Sequence, residues 1–142
     1  MRVPQLMAAV QLIGHGGYDK LVYTESAPVP IAGPDEVLIK VLAAGINNTD
    51  INTRIGWYSS EATASTAETT NSGPLPKDGD WTGTGLAFPR IQGADVCGEI
   101  VGLGAGVAES RLGQRVIVQS CLLSLRRGEF TPWLGSERDG GF

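Results

Sequence analysis

The amino-acid sequence predicts a mainly β fold, a small barrel or sandwich with at most one or two short helices. Short apolar, β-rich runs recur along the chain, and clusters of glycine and proline separate them. The 142 residues suit one domain with a core of its own, and 42% hydrophobic against 18% charged residues is an ordinary balance for a globular protein. A largely disordered chain is therefore excluded.

A β-hairpin is predicted near the N-terminus. Residues 7–13 are apolar and stop at the Gly-His-Gly-Gly turn of residues 14–17, and residues 21–24 resume as the return strand. We expect His15 in this turn to be solvated, because nothing in the sequence pairs it with a partner.

The clearest predicted strand covers residues 36–43 and places Val37, Ile39 and Val41 on one face. Three prolines between residues 28 and 34 predict an extended connection before it, because proline cannot donate to a sheet and keeps its predecessor out of the helical region.

Two further β-rich runs cover residues 96–103 and 115–119. The Gly-Leu-Gly-Ala-Gly run of residues 102–106 lies between them and superficially resembles a dinucleotide-binding loop. Its spacing is not Gly-x-Gly-x-x-Gly, and no βαβ unit follows. We interpret it as a turn between strands.

A short helix is predicted to start near residues 48–50, where the small polar side chains can cap exposed backbone amides. Ile51 and Ile55 would share one face of this helix, and Gly56 is placed to end it.

A flexible polar insertion is predicted at about residues 59–85. Its first part has no large apolar side chain, so burial cannot offset the entropy lost on ordering it. Trp57, Tyr58 and Trp81 stand at its ends. Two interpretations stay open: the rings anchor a lid over a pocket, or they fasten the loop to the core.

Charge and composition exclude several classes of partner. The net charge of -4 and the isolated Arg126-Arg127 pair argue against nucleic acid, because phosphate neutralisation needs clustered basic residues. No apolar run approaches the roughly 20 residues of a membrane span, and no signal peptide is recognisable, so we expect a cytoplasmic protein. Cys97 and Cys121 are expected to be reduced, buried thiols.

Five motifs occur in order along the chain: Gly-Gly-Tyr at 16–18, Pro-Asp-Glu-Val-Leu-Ile-Lys-Val at 34–41, Ala-Gly-Ile-Asn-Asn-Thr-Asp at 44–50, Gln-Gly-Ala-Asp-Val-Cys-Gly-Glu-Ile-Val at 92–101 and Gly-Gln-Arg-Val at 113–116. Together, over residues 7–142, they resemble the N-terminal domain of the medium-chain dehydrogenase/reductase superfamily, and within it the zinc-independent quinone oxidoreductase branch. The resemblance implies that residues 1–142 form a GroES-like, partly open β-barrel on the substrate side of a reductase. The Rossmann domain that binds the cofactor is expected to lie outside these residues.

The same resemblance implies a site without zinc. In the zinc alcohol dehydrogenases of the superfamily, a Cys follows the Gly-Ile or Gly-Val pair and a His follows the glycine of a Gly-His-Glu motif. Asn47 and Ala94 hold those positions here. A carboxamide is a poor zinc ligand and a methyl group is none. The four closely spaced cysteines of the structural zinc lobe are also absent, since the chain has two.

The resemblance further implies hydride transfer from NADPH to a small-molecule carbonyl, enone or quinone. Asn47, Thr49 and Tyr58 would be the catalytic residues, with Asn47 also oriented toward the nicotinamide. Asp50 and Asp95 would organise hydrogen bonds behind them. From the residues alone the plain interpretations stay open: Asn47 in a turn, Thr49 and Asp50 as helix caps, and Asp95 as an exposed acid at a strand end.

Two alternatives complete the expectations. The chain could be a fragment of an alcohol dehydrogenase homologue with another carbonyl or alcohol substrate, or a stand-alone GroES-like interaction module. As an isolated chain we expect it to turn nothing over, because the cofactor phosphates have no site. We also expect it to dimerise or aggregate through an unpaired sheet edge.

Overall fold

The computed structural model describes residues 3–58, 86–121 and 132–142. Within these ranges the chain forms six strands, two single-turn 3-10 helices and one α-helix. The strands are β1 (Leu6–Leu12), β2 (Leu21–Pro28), β3 (Val37–Gly45), β4 (Arg90–Ile91), β5 (Asp95–Leu103) and β6 (Arg115–Ile117), and the α-helix, α1, is Asn48–Arg54. The 3-10 turns are Tyr18–Lys20 and Glu109–Arg111. The prediction of a mainly β fold is confirmed.

The strands form two three-stranded sheets whose neighbours are all antiparallel. One sheet has the order β2-β1-β4 and the other the order β3-β5-β6. Ala9, Ala27 and Ile91 form a buried cluster in the first sheet, and Met7 and Phe142 pack against it. The two open sheets are consistent with the partly open barrel that the resemblance implies.

The hairpin β1–β2 is confirmed, and the turn between its strands packs onto the end of α1. His15 in this turn is 8% exposed, so the expectation of a solvated side chain is wrong. Its Nδ1 lies 2.8 Å from the Thr53 carbonyl oxygen, and because that oxygen can only accept, Nδ1 donates. The Gly16 amide likewise donates to the Arg54 carbonyl oxygen, at 2.8 Å. The burial arises from a long-range contact that sequence periodicity does not encode.

Strand β3 is confirmed, but its simple alternation is not. The pairing with β5 shifts between Leu38 and Ile39 and again between Val41 and Ala43. Such irregularities break the alternation of side chains between the two faces. Val41 is accordingly 39% exposed, whereas Val37 and Ile39 are half-buried.

The glycine run after β5 is a turn, as predicted. The Gly104 amide donates to the Glu36 carbonyl oxygen at 2.9 Å, and the Gly106 amide donates to the Pro34 carbonyl oxygen at 2.7 Å. A Cβ atom on Gly104 would collide with the Gly33 carbonyl oxygen, so this close approach of two backbones requires glycine.

Three other expectations from the sequence can be compared with the structure. Cys97 and Cys121 are free thiols, but they are half-buried instead of buried. In the described part of the chain, no helix has the length and apolar character needed to cross a membrane. The predicted polar insertion at residues 59–85, with Trp81, lies outside the described residues.

Candidate functional site

Helix α1 begins with a reciprocal capping arrangement that joins three of the predicted site residues. Asn47 is the N-cap, and its Oδ1 accepts the Thr49 amide at 3.1 Å. Asp50 Oδ2 accepts the Asn47 amide at 2.8 Å. These bonds satisfy backbone donors that the first turn of a helix leaves open. The helix therefore starts where the sequence predicts, one residue after its cap.

The two isoleucines predicted to share one face of α1 differ in burial. Ile51 is 41% exposed, whereas Ile55 is 1% exposed and lies just beyond the last helical residue. The buried residues of the helix are polar or charged: Asp50, Asn52, Thr53 and Arg54. A helix that buries polar groups needs specific hydrogen-bond partners, because an unpaired buried polar group loses its hydration without compensation.

Asp50 provides one such partnership and fixes the helix to the segment before β5. Its Oδ1 accepts the Gly93 amide at 3.2 Å, and Gln92 Nε2 donates to the Asp50 backbone carbonyl at 3.1 Å. Burial raises the pKa of the Asp50 carboxyl, whereas the hydrogen bonds from the Asn47 and Gly93 amides act to lower it. The nearby negative charge of Asp95 adds a smaller rise to the same pKa.

The Asn47 amide is held in one orientation. Its Nδ2 donates to Asp95 Oδ2 at 3.0 Å, while its Oδ1 receives the Thr49 amide. A carboxylate can only accept and a backbone N–H can only donate, so each partner identifies one end of the amide. Asp95 is the first residue of β5 and is exposed. It is therefore an exposed acid at a strand end and, at the same time, the hydrogen-bond acceptor of Asn47, so the plain and the functional interpretations are compatible.

All five predicted site residues line one cavity of about 230 Å³. The cavity is lined by Asn47, Thr49, Asp50, Thr53, Tyr58, Gln92, Ala94, Asp95, Ser120, Trp133, Leu134, Gly135 and Ser136. Tyr58 reaches it from the turn after α1, where Asn52 Nδ2 donates to the Tyr58 oxygen at 3.3 Å. The structure thus brings together predicted site residues that are up to 48 positions apart in the chain.

Several lining residues have no counterpart among the predicted ones. Ser120, Trp133 and Ser136 come from segments without a strong local pattern. Gln92 is the first residue of the motif at 92–101, so its membership of that motif was a usable signal. The turn that carries Trp133 is held by Glu137, whose Oε2 accepts the Trp133 amide at 2.7 Å.

The described lining residues of this cavity lack the ligands that zinc sites most often use. Neither His nor Cys is among them, and the described ranges contain no group of three or more His, Cys, Asp or Glu that could hold a metal ion. The two carboxylates present, Asp50 and Asp95, already accept hydrogen bonds from protein N–H groups. The arrangement instead offers N–H and O–H groups, which suit a carbonyl oxygen or an oxyanion.

Comparisons with known proteins identify the family to which the chain is similar. Residues 33–141 match the profile of the alcohol dehydrogenase GroES-like domain. The chain is 31% identical over 125 residues to L-galactonate-5-dehydrogenase of Escherichia coli K12, covering 80% of the chain and 29% of that protein. It is 35% identical over 112 residues to the mitochondrial NAD(P)H oxidoreductase RTN4IP1 of Danio rerio, covering 78% of the chain and 26% of that protein. The chain thus spans less than a third of these relatives.

Two solved structures show the similarity at the level of the fold. A Sinorhizobium meliloti 1021 protein provisionally named an alcohol dehydrogenase superposes with a TM-score of 0.76 at 42% identity, over 98% of this chain and 37% of that one. The quinone oxidoreductase of Coxiella burnetii superposes with a TM-score of 0.54 at 26% identity, over 79% of this chain and 29% of that one.

Proposed function

The chain belongs to the alcohol dehydrogenase GroES-like domain family of the medium-chain dehydrogenase/reductase superfamily, and on that premise we propose that it is the substrate-side domain of a zinc-independent, NAD(P)H-dependent reductase of enones or quinones. A cofactor-binding Rossmann domain elsewhere in the same protein would complete the enzyme. NADPH, when bound there, supplies the hydride. Asn47, Thr49 and Tyr58 would hold the carbonyl oxygen and the nicotinamide ring against each other.

The observation that carries this proposal is that the fixed Asn47 amide and Ala94 line the same cavity. They hold the two positions at which the resemblance places zinc ligands in the zinc alcohol dehydrogenases. Asp95 takes one N–H of Nδ2, and the second N–H is left to donate to a ligand oxygen in the cavity. Without a Lewis acid, charge that develops on a substrate oxygen must be stabilised by such donors. A conjugated enone or a quinone spreads that charge, which makes it a better substrate for this site than a simple ketone.

The named relatives favour a second candidate, an alcohol dehydrogenase acting on a polar alcohol. They include L-galactonate-5-dehydrogenase and an L-threonine 3-dehydrogenase of Ruegeria pomeroyi that is 37% identical over 126 residues. The same donors could bind an alcohol, and Asp95 is the nearest exposed carboxylate to Asn47. A substrate panel separates the two candidates.

The first test measures ligand binding to the chain itself. Binding is monitored through the NMR chemical shifts of the backbone amides of Gly93 and Asn47. We expect 2-cyclohexen-1-one to shift these signals at lower concentration than cyclohexanol or L-threonine. Asn47→Asp removes the only donor end of this amide and places a carboxylate against Asp95, so it should abolish enone binding. Asn48→Asp, on an exposed position of the same helix, is the matched control and should bind as the wild type does.

Turnover and metal content complete the test. Joined to a nicotinamide-binding domain, the chain should oxidise NADPH with enones or quinones and without added metal, and elemental analysis should find no stoichiometric zinc. Tight zinc binding, or preference for L-threonine or galactonate with loss of activity on chelation, would favour the alcohol dehydrogenase candidate.

We also propose that the chain self-associates along β3. In the described ranges this strand pairs only with β5, and its Leu42 is 48% exposed. Beside it lies an apolar groove of about 440 Å³, to which Leu38, Ile39 and Val41 contribute. Light scattering should show a dimer that Leu42→Lys dissociates and that Ile31→Lys, at a 94% exposed position outside the strands, leaves intact. A monomer at high concentration would contradict this proposal.

A further inference from the structure

We infer that Gln92 and Thr53 form a subsite of the cavity that binds a hydroxyl group of the ligand. The inference rests on the proposed function and narrows its substrate class to enones that carry a hydroxyl group across the ring from the carbonyl. Both residues line the cavity. The family resemblance assigns a role to neither of them.

The side-chain amide of Gln92 is held in one orientation and presents an acceptor. Gln92 is 3% exposed, and its Nε2 donates to the Asp50 backbone carbonyl at 3.1 Å. Because a carbonyl oxygen can only accept, this contact identifies the NH2 end, and Oε1 is the opposite end. Oε1 has no partner in the described ranges, yet the fully enclosed side-chain atoms without a partner belong to His15, Asn52 and Arg90. Oε1 therefore meets open space, and the open space that Gln92 lines is the cavity.

The hydroxyl group of Thr53 is also left for a ligand. Thr53 is 6% exposed, and among the described residues its hydroxyl has no hydrogen-bond partner, not even the backbone carbonyl four residues earlier that helical threonines often use. This oxygen is not one of the fully enclosed atoms either. For the fold alone, a valine of similar shape would avoid burying a polar group without a partner. A ligand in the cavity gives this hydroxyl its function.

The two side chains belong to the same end of the cavity. The carbonyl groups of a helix point toward the following turn, and the turn after Asp50 carries Thr53, so the Gln92 amide bonded to the Asp50 carbonyl lies toward Thr53. Gln92 Oε1 can only accept, whereas a hydroxyl can donate and accept. A ligand hydroxyl satisfies both groups, because it donates to Oε1 and accepts from Thr53. A ligand carbonyl would leave Oε1 without a donor.

This subsite lies away from the Asn47 amide. At a rise of about 1.5 Å per residue, Thr53 lies roughly 9 Å along α1 from Asn47. The cavity of about 230 Å³ is smaller than the roughly 300–1,000 Å³ of sites for drug-sized ligands, so it suits a compound with one six-membered ring. When the carbonyl of such a ring meets Asn47, a substituent on the opposite carbon is directed toward Gln92 and Thr53. 4-Hydroxy-2-cyclohexen-1-one has this arrangement.

The test compares the dissociation constants of three ligands, followed through the backbone amide shifts of Gly93 and Asn47. We expect 4-hydroxy-2-cyclohexen-1-one to bind on the order of threefold to tenfold more tightly than 2-cyclohexen-1-one, because it gains hydrogen bonds in the subsite. 4-Methoxy-2-cyclohexen-1-one should bind no more tightly than 2-cyclohexen-1-one, because its ether oxygen cannot donate to Gln92.

Gln92→Met keeps the length of the side chain and removes the amide, so the preference for the hydroxyl compound should disappear. Gln114→Met is the matched control and should keep it. Gln114 Nε2 also donates to a backbone carbonyl at 3.1 Å, that of Ser110, but Gln114 is exposed and does not line the cavity. The preference is a ratio of two affinities in the same variant, so a general loss of affinity cancels.

Thr53→Val keeps the test decisive if Gln92→Met does not fold. It should lower the preference for the hydroxyl compound, and Thr53→Ser, which keeps a hydroxyl group, should retain it. Equal preferences in Thr53→Val and Thr53→Ser would overturn the inference.

The outcomes separate this inference from the proposed function. If the wild type binds none of the three ligands, the proposed function fails and the inference fails with it. If 2-cyclohexen-1-one binds but the hydroxyl group adds nothing, the inference alone is overturned. A preference that persists in folded Gln92→Met would also overturn it, because the hydroxyl would then be bound elsewhere.

Discussion

Replacing Asp50 by alanine tests whether one buried carboxylate holds the candidate site together. The substitution removes the acceptor of the Asn47 amide at 2.8 Å and of the Gly93 amide at 3.2 Å. A hydrogen bond to a charged group contributes about 1.5–3 kcal/mol, and the loss is partly offset because a buried carboxylate no longer has to be desolvated. We expect a net loss of about 2–4 kcal/mol in unfolding free energy, or a melting temperature lowered by roughly 5–15 °C.

Urea denaturation followed by tryptophan fluorescence measures this loss, and hydrogen exchange of the Gly93 amide reports the local consequence. The Gly93 amide should exchange faster in Asp50→Ala than the global loss of stability accounts for, because its acceptor is gone. Asp35→Ala, at an exposed turn position, is the control and should stay within about 0.5 kcal/mol of the wild type. If the unfolding free energy of Asp50→Ala also stays within that range, the hydrogen bonds that attach α1 to the segment before β5 do not hold the candidate site together.

Two further predictions concern the same contact region. Burial raises the pKa of Asp50, so the folded chain favours the protonated carboxyl. The part of the stability that comes from this pKa shift is fully present below the ordinary value of 3.8 and is lost as pH rises through the raised pKa. In urea denaturation at a series of pH values, the stability of the wild type should therefore fall relative to that of Asp50→Asn as pH rises from about 4. Gly93→Ala should cost about 2–4 kcal/mol in urea denaturation, because φ is 96° and the new Cβ would lie 2.6 Å from Phe142 Cδ1. Gly113→Ala, with a φ of 80° and open space around it, should show only the backbone part of that cost, and equal losses at both glycines would contradict the packing argument.

Local sequence patterns were sufficient for five of the six strands in the described ranges and for the start of the helix, but not for the two-residue strand β4. The run from Leu6 to Leu12, its glycine turn and the return strand follow a hairpin pattern that depends on neighbouring residues alone. The burial of His15 did not follow, because its partner Thr53 is 38 residues away and belongs to another element. Likewise, the spacing of Ile51 and Ile55 in the sequence did not indicate that the residues buried in α1 would be polar or charged.

The candidate site was predictable only in part, and for a physical reason. Asn47 and Asp95 stand in short motifs, so the resemblance could name both without knowing that they touch. Trp133 and Ser120 reach the same cavity from segments in which neither spacing nor composition indicates a function. Their position depends on how the C-terminal turn packs against Gly93 and Ala94, as the close approach of Gly135 to both backbone amides shows.

The plain and the functional interpretations of Asn47 are two consequences of one arrangement. As the N-cap residue, Asn47 accepts the Thr49 amide with its side-chain Oδ1. The NH2 end of the side chain is then the end that is directed toward Asp95 and the cavity. Asp95 then takes one of the two N–H groups and fixes the direction of the other. An amide so oriented presents a donor, which suits a carbonyl oxygen or an oxyanion and repels a metal cation. The capping of α1 therefore sets the polarity of this cavity wall, and any ligand that binds beside Asn47 must offer it an acceptor.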